Sequence, residues 1–260
     1  MSNRFCFIAP MFNASETLSQ MIMSIVSQTY DNWTLTLIDD VSDDVHQKKC
    51  EQIIAAYRMC LQNLGQDPNK IQVTWNHLMR GKQWETSNVL HGISLCKEDD
   101  VICRIDADDR LCDPDALTLL NFVYEHEKVD AVWTMQRWGY SDYNISGPMP
   151  IGSNPYVHPW TSSHLKTFKK QLITGVPYEN FLNESGELVR RCGDQAIYLP
   201  CLRNATRWFF VPRVMYHYTC NVDDKATFHT PDAKFQKNEA EFIRRRGYVA
   251  SGTPWEKVIE

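Results

Sequence analysis

Over residues 1–138 short apolar runs take turns with stretches whose apolar residues recur at helical spacing. A chain patterned this way has few folds open to it. The short runs predict strands, the periodic stretches predict helices, and their succession packs as a mostly parallel sheet with helices on both faces. "RFCFIAP" (4–10), "WTLTLID" (33–39), "KIQVTWN" (70–76), "DVICRI" (100–105) and "DAVWTMQRW" (130–138) supply the strands. "SETLSQMIMSIVSQT" (15–29) sets Leu18, Ile22, Ile25 and Val26 on one helical face, with Ser15 as expected N-cap and Glu16 of the right sign for the first turn. "HQKKCEQIIAAYRMCLQNL" (46–64), "WETSNVLHGISLC" (84–96) and "DPDALTLLNFVYEHE" (113–127) are further helices, the last with Asp113 as N-cap and Pro114 at its first position.

Beyond residue 138 the alternation fades. "SDYNISGPMPIGSNPYVHP" (141–159) predicts a long loop that covers a site. "SSHLKTFKKQLI" (162–173) predicts a helix capped by Ser162 or Ser163, and "GDQAIYLPCLRNA" (193–205) a helix interrupted by Pro200. "RWFFVPRVMYHYT" (207–219) is strand-like, and "DAKFQKNEAEFIRRRG" (232–247) a polar terminal helix. The expected organisation is one domain in two halves, 1–138 and 139–260.

Composition narrows the class. Apolar residues make up 43% of the 260, enough for a large core. No apolar run reaches the roughly 18 residues of a membrane span. The opening "MSNRFCFIAPMFN" is broken by Pro10 and predicts a first strand rather than a signal peptide. Nine cysteines with no Cys-x-x-Cys spacing predict neither a zinc site nor a disulfide framework, and fit a reducing cytoplasm. Residues 1–130 hold 11 Lys and Arg against 20 Asp and Glu, whereas residues 131–260 hold 16 against 12. The basic second half either faces an anionic partner or is ordinary solvated surface.

In open parallel sheets ligands bind beyond the carboxyl ends of the strands. Asp39, Asn76 and Asp106 fall at those ends. The run "VICRIDADDR" is the most pointed of them, with three carboxylates in four residues: Asp106, Asp108 and Asp109. In a turn such side chains converge, and convergent carboxylates repel unless a cation neutralises them. A hard divalent ion such as Mg²⁺ or Mn²⁺ does so, taking oxygen ligands together with a diphosphate. Asp109 is either a third ligand or points to solvent, and the bland reading of the run is an acidic turn capping the next helix.

A metal and a diphosphate together suggest a nucleotide-linked substrate. The chain has no G-x-x-x-x-G-K-S/T and no G-x-G-x-x-G, so neither a P-loop nor a dinucleotide fingerprint is present. The first strand ends in "APMFN", with neither the Asp of an aspartyl phosphatase nor the Gly-rich turn of a nucleotidyltransferase.

The ordered set of motifs resembles family 2 glycosyltransferases of the GT-A fold. "FIAPMFNASETLSQMIMSIVSQTYDNWTLTLIDDVSDD" is similar to that family's opening, with its strand, Pro10, Asn13, helix, Q-T-Y, second strand and paired Asp. "IDADD" resembles its DxD motif. "RGK" (80–82), "SSHLKTF" (162–168), "GDQAIYLP" (193–200) and "YHYTCN" (216–221) are similar to a narrower group associated with large DNA viruses and bacteriophages. The segment "RGK…SNVLHGI" departs from the family's usual "G-x-x-x-A-R-N-x-G".

The resemblance implies a Rossmann-like α/β fold, a nucleotide-sugar donor with UDP the expected nucleotide, a divalent metal, and inversion at the anomeric carbon. It puts Pro10 and Asn13 in the donor site and Asp39 or Asp40 on the base. Asp106 would approach the ribose and Asp108 the metal, with His217 as an extra metal ligand or diphosphate contact. Inverting transfer needs a base that takes the proton of the acceptor hydroxyl, and Asp194 in "CGDQ" fits, with plain N-capping as the alternative. Arg80, Lys82 or Lys166 would help the metal against the leaving diphosphate. His164 and Trp160 are placed on the acceptor side, although His164 and Lys166 also fit a capped helix start with solvated charge. His77, His91 and His158 are expected to be structural.

Two acceptors remain open. A modified DNA base fits the viral association and the aromatics among basic residues in "RNATRWFFVPR". A polysaccharide or protein hydroxyl is the commoner acceptor of family 2, and the net charge of −5 leans that way. A non-catalytic sugar-nucleotide or glycan-binding protein of the same fold is the reading from a different class.

Overall fold

The computed structural model describes residues 2–139, 141, 143–219 and 231–259. Cys220 and Asn221, the end of the "YHYTCN" segment, lie outside the described residues. The strands are β1 (Phe5–Met11), β2 (Trp33–Asp39), β3 (Ile71–Trp75), β4 (Val101–Arg104), β5 (Arg110–Leu111), β6 (Ala131–Trp138), β7 (Lys166–Lys169) and β8 (Trp208–Tyr218). The helices are α1 (Leu18–Val26), α2 (Asp44–Asn63), α3 (Asn76–Met79), α4 (Trp84–Ser94), α5 (Ala116–Glu127), α6 (Gly193–Asn204) and α7 (Pro231–Arg246).

All eight strands join one sheet in the order β3-β2-β1-β4-β7-β6-β8-β5. Pairing is parallel from β3 through β4 and again between β6 and β8; β7 and β5 run against their neighbours. The sheet is thus mostly parallel and flanked by helices, the α/β Rossmann-like architecture that the alternation predicts.

Strand alternation sorts the core into two layers. Phe5, Phe7 and Ala9 of β1 pack with α1, α2 and α5, while Cys6 and Ile8 pack with α4 and α6. The second layer is tight. A Cβ on Gly92 would lie 2.5 Å from Ile8 Cγ2, so only glycine lets α4 settle this closely on β1.

The largest departure from expectation is residues 162–173. They form β7 and a 3₁₀ turn rather than a capped helix. Every residue from Ser162 to Phe168 is buried, with Leu165 in one apolar layer and Phe168 in the other. A helix would have turned one face to solvent; a strand wedged between β4 and β6 covers both.

Smaller corrections concern caps. Thr17, not Ser15, precedes α1, and Ser15 Oγ instead meets His46 Nδ1 at 2.8 Å. Asp43, which had no assigned role, caps α2 by accepting from the amides of Val45 and His46. Asp113 closes the turn before α5, accepting from the Asp115 amide at 3.0 Å, and Pro114 lies outside the helix. Pro200 does not interrupt α6. The helix runs on to Asn204, buried on two sides against the α4 layer and a third small cluster around Ile243.

Candidate active site

The carboxyl ends of β1, β2 and β4 open into a cleft of about 580 Å³. Pro10 and Asn13 form part of its wall. Asn13 lashes the turn after β1 to the start of α2: its amide donates to Ser42 Oγ at 2.9 Å, and its Oδ1 accepts from the Asp43 amide at 3.0 Å. Asn13, Val41 and Trp84 all lie at positive φ around the cleft, an uncommon state for side chains of this size.

The paired aspartates after β2 part company. Asp39 does not line the cleft. Its carboxylate accepts from the Ser42 amide at 3.0 Å and from Ser42 Oγ, so it holds the turn and not the ligand. Asp40 does line the cleft. It accepts from the amides of Gln83 at 2.7 Å and Trp84 at 3.0 Å, and Lys82 Nζ stands 3.5 Å away. Burial pushes the Asp40 carboxyl up, but those amides and the side chains of Asn88 and Asn76 outweigh it and hold the group below its usual value.

Lys82 enters the cleft with its ammonium 3.3 Å from the ring centre of Phe12 and 5.3 Å from that of Trp84. Arg80 does not line the cleft. Its guanidinium donates to Ser87 Oγ at 2.9 Å and to Gln83 Oε1 at 3.4 Å, bracing the loop that carries Lys82.

The carboxylates after β4 also divide. Asp106 and Asp108 line the cleft, Asp108 exposed and Asp106 half-buried. Asp109 is neither solvent-facing nor a third cleft ligand. It is buried on the far side, accepting from Tyr216 Oη and the Thr219 amide, each at 2.7 Å. Burial, with Asp106 and Asp108 nearby, pushes its carboxyl up to about 8.

Beneath the cleft lies a charged cluster. Arg104 Nη2 is 2.5 Å from Glu85 Oε1 and 2.7 Å from Asp106 Oδ1. Burial works against the Arg104 charge, and the carboxylates of Asp106 and Glu85 outweigh it. Burial raises the Glu85 carboxyl to about 7 against the pull of Arg104. Neither residue was singled out above. The available signal was Arg104 itself, a charge inside the apolar run "VICRI" that burial obliges to find partners.

His164, Lys166 and Asp194 join the same cluster. Lys166 Nζ is buried 3.2 Å from His164 Nε2 and 3.5 Å from Asp194 Oδ2. Burial first, then Lys166 and Arg104, hold the His164 imidazole well below its ordinary value, hence neutral. These are core groups and not a solvated helix start. Asp194 lines the cleft in the first turn of α6, whose N-cap is Cys192. Its Oδ1 accepts from the Gln195 amide at 2.8 Å. Gly193 lets this turn approach, since a Cβ there would lie 2.8 Å from Glu85 Cδ and 2.9 Å from Thr86 Oγ1.

Two expected site residues stand aside. Trp160 does not line the cleft; it is half-buried against the core with its ring centre 5.5 Å from Lys166 Nζ. His217 does not line it either. On β8 its neighbours Tyr216 and Tyr218 point toward the cleft side, so alternation turns His217 away, into register with Arg137 and Arg110. Two cations beside it oppose a third, which argues against His217 as a metal ligand.

A family model, described as Glycosyl transferase family 2, matches residues 6–177. The chain belongs to that family.

This glycosyltransferase also shares its fold with solved structures of low sequence identity. Residues 1–349 of TarS from S. aureus superpose with a TM-score of 0.61 at 15% identity, over 93% of this chain and 71% of that one. The longer TarS chain gives a TM-score of 0.62 at 14% identity, over 94% of this chain but 43% of that one. The mannosyltransferase PcManGT from Pyrobaculum calidifontis, in complex with GDP-Man and Mn²⁺, gives a TM-score of 0.63 at 13% identity, over 100% of this chain and 68% of that one. GalNAc-T7 with UDP, GalNAc and Mn²⁺ gives a TM-score of 0.57 at 13% identity, over 85% and 45%. No curated protein sequence matches the chain.

A divalent metal fits the glycosyltransferase cleft by its donor chemistry: Asp108 is an exposed hard oxygen ligand on the cleft wall, with Asp106, whose Oδ1 is held by Arg104, beside it. Among the described residues a different cluster, Cys6, Cys96 and Asp100, brings three potential ligand atoms within 4.8 Å of one another. It lies at the amino ends of β1 and β4, and Asp100 is already forked by Arg4 at 2.5 and 2.7 Å. A second cation there would meet that guanidinium. Among the described residues no helix is long and apolar enough to cross a membrane.

Proposed function

We propose that this enzyme is a metal-dependent inverting glycosyltransferase that moves a sugar from a nucleotide-sugar to a hydroxyl on a modified DNA base. The observation that carries the transfer chemistry is one cleft at the carboxyl ends of the strands, lined by Asp40, Asp106 and Asp108 and, from the first turn of α6, by Asp194, in a family 2 chain. The proposed setting is the cytoplasm of a host infected by a phage or large DNA virus, which rests on the motif resemblance alone.

In this reading Asp40, Lys82 and the exposed ring of Phe12 hold the nucleotide, with UDP favoured by the TarS complexes with UDP and UDP-GlcNAc. Asp106, fixed by Arg104, meets the ribose. Asp108 holds Mn²⁺ or Mg²⁺, which supplies positive charge against the leaving diphosphate. The two manganese-bearing neighbours support that choice. Lys82 adds a second charge on the donor side.

Asp194 takes the proton of the acceptor hydroxyl as it attacks. Its carboxylate is oriented by the Gln195 amide on one oxygen and by Lys166 on the other. Neutral His164 stacks on Tyr216 with ring centres 4.8 Å apart and forms the floor on which an acceptor group would rest. Trp160 stands beneath that floor beside Lys166.

A DNA acceptor is favoured by the excess of basic residues after residue 130. A base inside a duplex is out of reach of such a cleft, so it would be extruded or single-stranded. The net charge of −5 favours the rival acceptor, a polysaccharide or protein hydroxyl.

The test offers UDP- and GDP-sugars with Mn²⁺ to the enzyme alongside unmodified DNA, hydroxymethylated DNA and oligosaccharides, with product read by mass. Sugar mass on hydroxymethylated DNA alone is the expected result. Transfer to glycans alone would reject the DNA acceptor. Donor binding without any turnover would leave a non-catalytic sugar-nucleotide protein.

A further inference from the structure

The sequence predicts α7 as a polar terminal helix, and the transfer chemistry above makes no use of it. One of its faces is nevertheless built into the wall of the cleft. Gln236, Glu239, Ile243 and Arg246 follow one another at helical spacing, so they share a side of α7. Gln236 lines the cleft itself. Ile243 packs with Val189, Cys192, Ala196 and Leu199. Arg246 donates to the carbonyls of Leu182 at 2.5 Å and Asn180 at 2.6 Å.

Glu239 stands in the middle of that face and is 4% exposed. Its carboxylate accepts from three N–H groups. Oε1 takes the Arg190 amide at 3.1 Å and Asn183 Nδ2 at 3.4 Å. Oε2 takes the Arg191 amide at 2.8 Å and the Arg190 amide at 3.2 Å. A carboxylate out of water needs such donors. Both oxygens act as acceptors, a pattern that a glutamine cannot copy, because its NH2 would face an N–H.

Two of the three contacts fix backbone rather than a side chain, and the backbone they fix leads to the reaction centre. Arg190 and Arg191 line the cleft, and Asp194 follows Arg191 by three residues. Between them Cys192 belongs to the Ile243 cluster, and Gly193 lies against Glu85 and Thr86. The stretch that enters the first turn of α6 is therefore held by α7 at one end and by α4 at the other. Reacting groups tolerate little displacement: about 1 Å can cost 10²-fold in rate. We infer that Glu239 is a positioning residue for the transfer, which through the backbone amides of Arg190 and Arg191 sets where the Asp194 carboxylate stands in the cleft. This rests on the reading of Asp194 as the base.

The test compares Glu239→Gln, Asp194→Asn, the two combined, and Arg246→Met, which loosens α7 at a point away from the cleft. Turnover is read by mass with the donor and acceptor that the wild type uses, UDP binding with Mn²⁺ by calorimetry, and folding by thermal melting. Glu239→Gln should lower kcat by about 10-fold, with the donor KM and the UDP affinity within about twofold of the wild type. Added to Asp194→Asn it should change the residual rate by less than about twofold, because the group it places is already gone. Arg246→Met should melt earlier and keep kcat within about twofold. If Glu239→Gln melts too early to assay, Glu239→Asp carries the test: it keeps two acceptor oxygens, withdrawn by one methylene, and should show a smaller loss of the same pattern.

A folded Glu239 variant with wild-type kcat overturns the inference. So does a loss that multiplies in full with Asp194→Asn, or one that Arg246→Met reproduces at an equal drop in melting temperature, since either is general loosening of the fold. The base reading fails separately: Asp194→Asn alone would then turn over like the wild type, whereas failure of the positioning role leaves that variant slow.

Discussion

The Lys166 ammonium, 2% exposed, stands 3.5 Å from the Asp194 carboxylate. Burial lowers the value of a lysine this deep, and the carboxylates around it, Asp194 foremost, pull it the other way. Replacing it with methionine keeps the volume and removes the charge, leaving Asp194, Glu85 and Asp106 to share Arg104. Breaking a buried ion pair from one side typically costs about 3 kcal/mol, so Lys166→Met should melt earlier and transfer at least ~10-fold more slowly. A variant that melts and turns over like the wild type would show that the pair is incidental.

Asp194→Asn preserves shape and the Gln195 contact but cannot take a proton. Transfer should fall by roughly 10²- to 10⁴-fold, while nucleotide binding, followed by calorimetry, stays within a few-fold. Intact turnover would remove Asp194 from the chemistry.

Asp108→Asn replaces the proposed charged oxygen ligand by a neutral one at the exposed position of the turn after β4. Nucleotide binding should lose its dependence on added Mn²⁺. The contrast with Asp109→Asn is the control, because Asp109 is turned away from the cleft and held by Tyr216 and Thr219. If both variants keep the dependence, the ion binds elsewhere.

Glu85 gives the fold a pH dependence whose sign can be worked out. Its folded value of about 7 lies above the ordinary 4.5, so the folded state keeps a proton that the unfolded chain releases. Stability from this group is therefore full below about 4.5 and drains away as the pH rises toward 7. Glu85→Gln does not titrate. Its melting temperature, relative to the wild type, should climb between pH 5 and pH 8, and a constant difference would contradict the raised value.

Gly193→Ala tests the approach of α6 to Glu85. The added methyl would meet Glu85 Cδ at 2.8 Å and Thr86 Oγ1 at 2.9 Å, so the helix start must move. Overpacking of this kind costs about 1–3 kcal/mol. Transfer should suffer more than stability, because Asp194 is the next residue. Crystals of the alanine variant with an unmoved Asp194 would refute that coupling.

Most of the sheet was legible because β1, β2, β4 and β6 are short apolar runs bounded by turns, each within a residue or two of its expected limits. β7 was not. Its Ser-Ser start imitates a helix cap, and Lys166 in a buried strand carries the wrong polarity for a local window to place it inside. The two Asp pairs were legible as pairs, yet which member faces the cleft depends on turn hydrogen bonds: Ser42 claims Asp39, and Tyr216 claims Asp109. Glu85 and Arg104 were missed because each finds its partner only when α4 lies across β1, the neighbour of β4. His217 was misplaced by one step of strand alternation, which sequence alone does not orient.

The position of β7 has a consequence for how the molecule is made. β6 is complete at residue 138, but the strands on either side of it, 166–169 and 208–218, come later in the chain. The outer edge of β4 waits for the same late segment. A nascent chain leaving the ribosome therefore carries three bare strand edges, two of β6 and one of β4, which are not all covered until its last third emerges, and bare edges recruit other chains. Newly made protein should lean on chaperones in the interval, and shortened versions that stop before residue 166 should collect in inclusion bodies.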